Sequence, residues 1–187
     1  PDRDHNETFA ALLNAIRYST ARVWLTYGYF VPDPVTLRVL QEAATRGVDV
    51  RLILPGTSDF WAPLHAGRSH YDELLAAGIR IHERQGALLH AKTAVIDGVA
   101  TFTGLSRRFT IDGVWSSVGS TNLDWRSHVH NYEADVVVLS PAFAAELERL
   151  FEGDLANSKR ITPDAWQDRG VQPRLLEWVA RRWAYFL

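Results

Sequence analysis

The sequence predicts an α/β fold in which a mixed β-sheet is flanked by helices. Segments with apolar residues at helical spacing alternate with segments rich in β-branched and aromatic residues, and glycine or proline separates them. With 47% hydrophobic and 22% charged residues, the composition is typical of a globular protein. Strand–helix–strand connections early in the chain favour parallel pairing, whereas the later strand-rich stretch allows antiparallel pairs.

Local signals define the elements of the first half. Pro34 is suited to the first turn of a helix, and Gly47 to the position that follows its end. An almost continuous apolar run stopped by Pro55-Gly56 is typical of a buried strand. In chain order we predict a helix around 9–16, a strand over 22–30, a helix over 34–46, a strand over 48–54, a loop, a helix over 71–77 and a strand over 79–82.

The second half is richer in strands. Ser140 and Pro141 are typical of an N-cap and a first helical residue. The predicted elements are strands over 88–96, 114–118 and 133–139, a helix over 141–155, a polar linker over about 156–172 and a last helix over 173–187. We therefore divide the chain into a domain over 1–156 and a tail over 157–187, made of the linker and an amphipathic helix.

The last helix has two possible roles. Leu175, Val179, Trp183 and Phe186 share one face, and arginines lie elsewhere. An amphipathic helix with tryptophan and arginine suits a membrane surface, but docking onto its own domain fits the pattern equally well. No run of 18 apolar residues occurs, so no segment is predicted to span a bilayer.

Composition limits the partners and the chemistry. A net charge of −2 provides no general attraction to nucleic acid or to an anionic membrane, so a nucleic-acid partner is not expected. The absence of cysteine excludes disulfides and thiolate chemistry. Because the chain starts at Pro1 and has no methionine, we expect a processed product or a piece of a longer protein.

The segment His90-Ala91-Lys92 predicts a phosphoryl-transfer site. Lys92 is one of only two lysines among 20 basic residues, and it stands two positions after a histidine. On a strand, His90 and Lys92 would point to the same side, about 7 Å apart. A neutral imidazole can attack phosphorus, and an ammonium can neutralise a phosphoryl oxygen as charge develops.

A second segment, Gly119-Ser120-Thr121-Asn122, supplies candidate hydrogen-bond donors to the same phosphoryl oxygens. A carboxylate is needed to hold the imidazole tautomer, and Glu133 at the start of an apolar strand is the candidate. His128 and His130 alternate as metal ligands on a strand do, but no third ligand with suitable spacing is evident, so no metal site is predicted. No cofactor is expected.

These segments resemble the phospholipase D superfamily, whose signature is HxK-x4-D-x6-GS followed by Asn. More narrowly, the chain is similar to the C-terminal half of bacterial cardiolipin synthases, and the resemblance covers nearly its whole length. The segments that carry it further are 29–33 (YFVPD), 43–50 (AATRGVDV), 119–127 (GSTNLDWRS) and 131–134 (NYEA).

The resemblance implies a phospholipase D-like mixed sheet with helices on both faces and a metal-independent phosphatidyl transfer through a phosphohistidine. His90 matches the motif histidine, Lys92 and Asn122 match the phosphate clamps, Ser120 matches the loop hydroxyl and Glu133 matches the histidine-orienting acid. The motif aspartate is implied to be structural. Tyr29 and Phe30 are candidates for a substrate-pocket wall, although core packing suits them at least as well.

The family site has two such motifs, and this chain has one HxK. The resemblance therefore implies half of an active site, completed by an N-terminal half of the same enzyme or by a second copy. A phosphatidylglycerol-like phospholipid is the implied substrate, and a bacterial cell membrane is the implied location, on its cytoplasmic or peripheral side.

The motif is interrupted, because the tetrapeptide Ile-Asp-Gly-Val occurs at 96–99 and again at 111–114. Asp97 has the motif spacing from Lys92, whereas Asp112 has it from Gly119, which corresponds to an insertion of 15 residues near 98–112. Either the insertion forms a surface loop or hairpin at a strand end, or it replaces the next strand and displaces the GSTN loop. We favour the first alternative, because an apolar strand over 114–118 leads directly into an intact GSTN loop.

Two further functions remain open. A homodimeric phospholipase D-type phosphodiesterase or nuclease would use the same residues. A catalytically inactive domain could instead bind lipid or a partner through the last helix.

Overall fold

The computed structural model describes residues 7–97, 101–102, 109–110, 114–124, 127 and 131–183. Its helices are α1 (Glu7–Tyr18), α2 (Pro34–Thr45), α3 (Trp61–Arg68), α4 (Tyr71–Ala76), α5 (Pro141–Ala156), α6 (Pro163–Gln167) and α7 (Val171–Trp183). Its strands are β1 (Arg22–Tyr27), β2 (Asp49–Pro55), β3 (Arg80–Arg84), β4 (Lys92–Asp97), β5 (Thr101–Phe102), β6 (Phe109–Thr110), β7 (Val114–Gly119), β8 (Asp135–Leu139) and β9 (Ser158–Ile161).

Among the described residues, seven strands form one mixed sheet in the order β8-β7-β4-β1-β2-β3-β9. The β1–β2 and β2–β3 pairs are parallel, and the helices that connect these strands make the crossovers that parallel pairing requires. The other pairs in the sheet are antiparallel. The predicted α/β class with a mixed sheet is therefore confirmed.

The alternation of side chains along the central strands builds a core on each face of the sheet. Val23 and Leu25 of β1 belong to a cluster that includes Leu12 and Ile16 of α1. Trp24, between them in sequence, faces the other side and packs with Ile53 and Phe151 of α5. Helices consequently cover both faces, as the resemblance implied, and most central positions are buried whichever way they point.

Side-chain and glycine caps define the helix ends that the sequence predicted. The Asp33 carboxylate accepts hydrogen bonds from the backbone N–H groups of Val35 (2.6 Å) and Thr36 (3.1 Å) at the start of α2. Gly47, with φ of 90°, follows the end of α2 in a conformation that glycine adopts at little cost. Ser140 accepts a hydrogen bond from Phe143 N–H (3.4 Å) and caps α5 as expected.

The predicted linker over 156–172 is wrong. It contains β9, which pairs with β3 at the edge of the sheet, and α6, whose Trp166 is buried against Tyr71 with ring centroids 4.8 Å apart. An edge strand exposes much of its surface, and Ile161 is the buried position of β9. That pattern is too polar to be recognised as a strand without knowledge of its partner.

Helix α3 was predicted as a loop. Its eight residues include Pro63 and Gly67, and its buried positions are Ala66 and Gly67. Two adjacent small residues provide no apolar spacing from which a helix could be recognised. As described below, α3 forms one wall of the candidate site.

The strand predicted over 88–96 begins only at Lys92, so the prediction that His90 lies on a strand is wrong. Tyr27 is the last residue of β1 and is the partner of Lys92, and the chain then turns at Gly28. Among the described residues, the β1–β4 register ends at this pair, and a single backbone hydrogen bond from Gly28 to Ala91 follows it.

The register of β4 and β7 describes how the insertion is accommodated. Thr93 pairs with Val118 and Asp97 with Val114, so β7 is the direct antiparallel neighbour of β4. The long connection between the two strands starts and ends at the same end of this pair. Within the connection, Thr101–Phe102 pairs with Phe109–Thr110. This pairing corresponds to a hairpin at the strand end, the first of the two alternatives, and it keeps the end of β7 beside Lys92.

None of the helices in the described part of the chain is long and apolar enough to cross a membrane.

Candidate active site

Lys92 and His90 lie together at the start of β4. The Lys92 ammonium is 3.3 Å from each ring nitrogen of His90, and it donates a hydrogen bond to the His90 backbone carbonyl at 2.9 Å. The lysine is only 6% exposed, whereas the imidazole is exposed. The arrangement therefore holds a fixed positive charge against a nitrogen base that a ligand can reach.

Burial lowers the pKa of Lys92 from its usual value, and the negative charges of Glu133 and Asp124 partly oppose that effect. Both carboxylates therefore lie within electrostatic reach of the ammonium. The cation is held where solvation is weak, so its attraction for a phosphoryl oxygen is less diluted by water than on an open surface.

The segment after β1 connects the two parts of the motif. Gly28 N–H donates to the carbonyl of Ala91 at 3.0 Å, between His90 and Lys92. Three residues further on, Val31 N–H donates to the carbonyl of Leu123 at 2.7 Å, directly after Asn122. The HxK segment and the GSTN loop are thus attached to the same short stretch of backbone.

Gly28 is required by this close approach. A Cβ atom at this position would lie 2.6 Å from the carbonyl oxygen of Leu89, a distance that real Cβ atoms essentially never show. The structure accommodates glycine with a backbone hydrogen bond that proline could not donate.

Ser120 is used mainly to hold its own loop. Its backbone N–H donates to the carbonyl of Ala134 at 3.0 Å, and its hydroxyl accepts from Ala134 N–H at 3.0 Å. Thr121 hydrogen-bonds to Asp135 through its backbone N–H and its hydroxyl. These bonds fix the GSTN loop against the segment that carries Glu133.

Asn122 lies in a groove of about 330 Å³ that opens beside the loop. The groove is lined by aromatic and polar side chains, chiefly Tyr29, Val31, Phe60, Trp61, Asn122, Asp124 and Asn131. Among the described residues, the Asn122 Oδ1 atom has no hydrogen-bond partner. A mostly apolar groove with a few polar groups at one end is the usual form of a small-molecule site.

The two candidate wall residues differ. Tyr29 lines the groove, and its hydroxyl donates to Asp59 at 3.0 Å. Phe30 is 3% exposed and belongs to the main core cluster, which favours the core-packing alternative for this residue. A parallel bridge between Phe30 and Leu123 instead makes Phe30 part of the support beneath the loop.

Glu133 is half-buried, and its carboxylate accepts a hydrogen bond from the Asn131 side chain at 3.3 Å. The negative charge of Glu133 raises the pKa of Lys92 and so helps to keep the ammonium charged.

Asp97 lies at the opposite end of β4, about 17 Å along the strand from Lys92. Its carboxylate pairs with Arg22 at the start of β1, and Arg22 also contacts Glu148 of α5 at 3.1 Å. Asp97 therefore joins strands and a helix away from the imidazole. Asp112, the other candidate motif aspartate, lies outside the described residues.

Four groove residues were not predicted from the sequence, namely Phe60, Trp61, Asp124 and Asn131. Asp124 and Asn131 stand inside the segments that carried the family resemblance, which was an available signal. Phe60 and Trp61 had no signal, because they enter the site through the unrecognised helix α3. In the part of the chain that the structure describes, no group of three or more potential ligands is placed to hold a metal ion.

Comparison with known proteins agrees with this geometry. The family described as cardiolipin synthase, phospholipase D-like domain, matches residues 12–155. A probable cardiolipin synthase, YwiE, from Bacillus subtilis is 33% identical over 159 residues, which are 85% of this chain and 29% of the relative. Cardiolipin synthase A from Proteus mirabilis is 33% identical over 167 residues, or 89% of this chain and 31% of the relative. The chain spans about a third of the length of these relatives.

Solved structures have the same fold at low sequence identity. A phospholipase D family member, Nuc from Salmonella typhimurium, superposes with a TM-score of 0.66 at 17% identity, covering 85% of this chain and 93% of that one. Phosphatidylserine synthase from Haemophilus influenzae gives a TM-score of 0.65 at 10% identity, covering 98% of this chain and 43% of that one. The chain therefore belongs to the cardiolipin synthase family of the phospholipase D superfamily.

Proposed function

We propose that this chain supplies one half of the active site of a phosphatidyltransferase that forms cardiolipin through a phosphohistidine. The observation that carries the proposal is the buried Lys92 ammonium held 3.3 Å from the exposed imidazole of His90. A base or nucleophile that a ligand can reach, next to a fixed positive charge, is what phosphoryl transfer requires. The family membership supports the choice of a phospholipid.

The proposed reaction has two steps, formation of a phosphohistidine and transfer of its phosphatidyl group. An imidazole nitrogen forms a bond to the phosphorus of phosphatidylglycerol while the bond from phosphorus to the glycerol oxygen breaks. The glycerol leaves with a proton from a second histidine. That histidine then accepts the proton of a hydroxyl group on another phosphatidylglycerol, whose oxygen displaces the imidazole to form cardiolipin. His90 can fill either histidine role.

Each neighbouring group has a distinct part in this scheme. Lys92 neutralises the phosphoryl oxygens, and Asn122, at the polar end of the groove, donates a hydrogen bond to them. Ser120 positions the loop through Ala134. The aromatic groove beside Tyr29 and Trp61 provides an apolar surface for the lipid portion next to its headgroup.

A second HxK motif must come from another half, either an N-terminal half of the same enzyme or a second copy of this chain. The lengths of the relatives support this requirement, since the matched region is about a third of each. The substrate class places the reaction at a bacterial cell membrane, on its cytoplasmic or peripheral side.

The test is a cardiolipin-forming assay on phosphatidylglycerol vesicles with the enzyme in its complete, assembled form. His90→Ala should remove turnover. His82→Ala is a matched control, since His82 lies on β3 near the β9 edge and should leave the rate unchanged. Normal turnover by His90→Ala would refute the proposed role.

The same preparation distinguishes the alternatives. Cleavage of DNA by a dimer, with no transfer on phosphatidylglycerol, would favour a phosphodiesterase or nuclease. Failure to bind vanadate, an analogue of the phosphoryl transition state, at His90 and Lys92 would favour an inactive binding domain.

A further inference from the structure

We propose that the outward face of α7 lies in the interface of an anionic phospholipid bilayer and docks the chain with its groove open to that bilayer. The identity of the lipid as substrate rests on the proposed function. The docking itself rests on the surface of α7 and on its position beside α3.

The inner face of α7 fixes the helix on the domain. Ala180 is buried with Val31 and with Ala66 of α3. Glu177, also buried, accepts hydrogen bonds from the guanidinium of Arg169 at 3.0 to 3.2 Å. One face of the last helix therefore docks on its own domain, and the opposite face points away from it.

The outer face carries the larger apolar side chains. Val171, Leu175 and Trp178 are 83%, 58% and 63% exposed. Their spacing of four and three residues places them on one stripe, opposite the buried face. Three large apolar side chains grouped on one exposed stripe form a patch of the kind that marks a membrane or partner surface.

The charges on α7 indicate which kind of surface this helix binds. Arg174, Arg181 and Arg182 are exposed, and Arg181 also contacts Glu73 of α4 at 3.6 Å. The one acidic residue of the helix, Glu177, is buried on the inner face and paired with Arg169. The charged surface of α7 is therefore cationic although the whole chain carries −2. An apolar stripe flanked by arginines fits the boundary between acyl chains and anionic headgroups.

Helix α7 packs on α3, whose first residues line the groove. Glu177 is linked to α4 because its partner Arg169 also pairs with Asp72. Three residues later, Ala180 lies beside Ala66 of α3. Helix α7 therefore runs along α3 toward the first residues of that helix. At that start, Phe60 and Trp61 are exposed and line the groove. The helix that α7 contacts therefore also carries the exposed aromatic residues of the groove, and this is the basis for proposing that the groove opens to the bilayer.

Vesicle co-sedimentation of the full chain tests the docking. We expect binding to phosphatidylglycerol vesicles and much weaker binding to phosphatidylcholine vesicles. The double variant Leu175→Ser/Trp178→Ser should bind about tenfold or more weakly. Leu150→Ser is the matched control, because Leu150 is an equally exposed leucine on α5, and it should bind as the unaltered chain does.

The charge requirement has its own variant. Arg182→Gln should weaken binding to anionic vesicles about fivefold at low salt, and the difference should shrink as the salt concentration rises. All substituted side chains are exposed, so circular dichroism should show an unchanged fold.

Two results would overturn the docking. One is equal vesicle binding by the double variant. The other is a lipid-free dimer that the double variant abolishes, since the face would then be an interface between copies. Separately, His90→Ala should bind vesicles normally without turnover. If it turned over normally while the double variant lost binding, the proposed function would fail and the docking would stand.

Discussion

The two parts of the motif, the HxK segment and the GSTN loop, are built differently. In the HxK part, the Lys92 ammonium and the His90 imidazole are directed at each other, with the lysine held by a backbone carbonyl. In the GSTN part, Ser120 and Thr121 bond to the segment that follows, at Ala134 and Asp135. Only the Asn122 side chain of that part lines the groove. The first part provides charge and a base, whereas the second mainly provides position.

This difference has a consequence for mutations. Side chains that face the substrate should affect the rate strongly and the stability weakly, while side chains that hold the loop should do the reverse. Four substitutions test the contrast, from the largest expected effect to the smallest.

Lys92→Arg should lower the rate of phosphatidyl transfer about 100-fold or more, although the charge is kept. A planar guanidinium cannot occupy the place of a compact ammonium that contacts the imidazole and the His90 carbonyl together. The rate is measured as steady-state phosphatidyl transfer on phosphatidylglycerol vesicles. Lys159→Arg, at the only other lysine and on the exposed β9 edge, is the control and should be silent. A fully active Lys92→Arg enzyme would contradict the proposed difference between the HxK segment and the GSTN loop.

Asn122→Ala should lower kcat about tenfold to 100-fold, because it removes one hydrogen-bond donor from the phosphoryl group. The unfolding free energy should change little, since Oδ1 has no partner among the described residues. Rate and denaturant unfolding measured on the same preparation separate the two effects. Gln41→Ala, an amide removed from α2, controls for the loss of an amide far from the groove.

Ser120→Ala should act mainly on stability, lowering the free energy of unfolding by about 1 kcal/mol through loss of the hydroxyl bond from Ala134 N–H. The rate should fall less than for Asn122→Ala. Urea unfolding followed by fluorescence gives the stability change. A rate loss as large as that of Lys92→Arg, with unchanged stability, would mean that the hydroxyl acts on the substrate.

Glu133→Gln should move the alkaline limb of the pH–rate profile to lower pH. Burial already lowers the pKa of Lys92, and Glu133 opposes that shift, so its removal lets the ammonium lose its proton sooner. The profile should fall earlier on the alkaline side, with its plateau reduced less than by Lys92→Arg. A uniform loss at every pH would instead favour Glu133 as the acid that orients His90.

Much of the fold was predictable from sequence because it depends on local patterns. The buried strands β1 and β2, the helices α2 and α5, and the caps Asp33 and Ser140 follow from apolar spacing and from side chains that bond to their own helix. The motif residues were predictable for a similar reason, since unusual residue types at fixed spacing indicate their chemistry.

Other features depended on partners distant in sequence. The polar strand β9 is recognisable only beside β3, and α3, which presents Ala66 and Gly67 to its neighbours, only against α7. Phe30 and Tyr29 are adjacent in sequence, yet one is buried beneath Leu123 and the other opens onto the groove.

By itself, the sequence determined the fold class, the family and the chemical types gathered at the site, because periodicity and motif spacing are properties of the chain. The tertiary structure decided which of those side chains are accessible and which hold the loop. His90 leaves the strand because β1 ends at Tyr27, and Ser120 is engaged by Ala134. It also decided that α7 turns Leu175 and Trp178 outward, since burying Ala180 and pairing Glu177 fix the rotation of the helix.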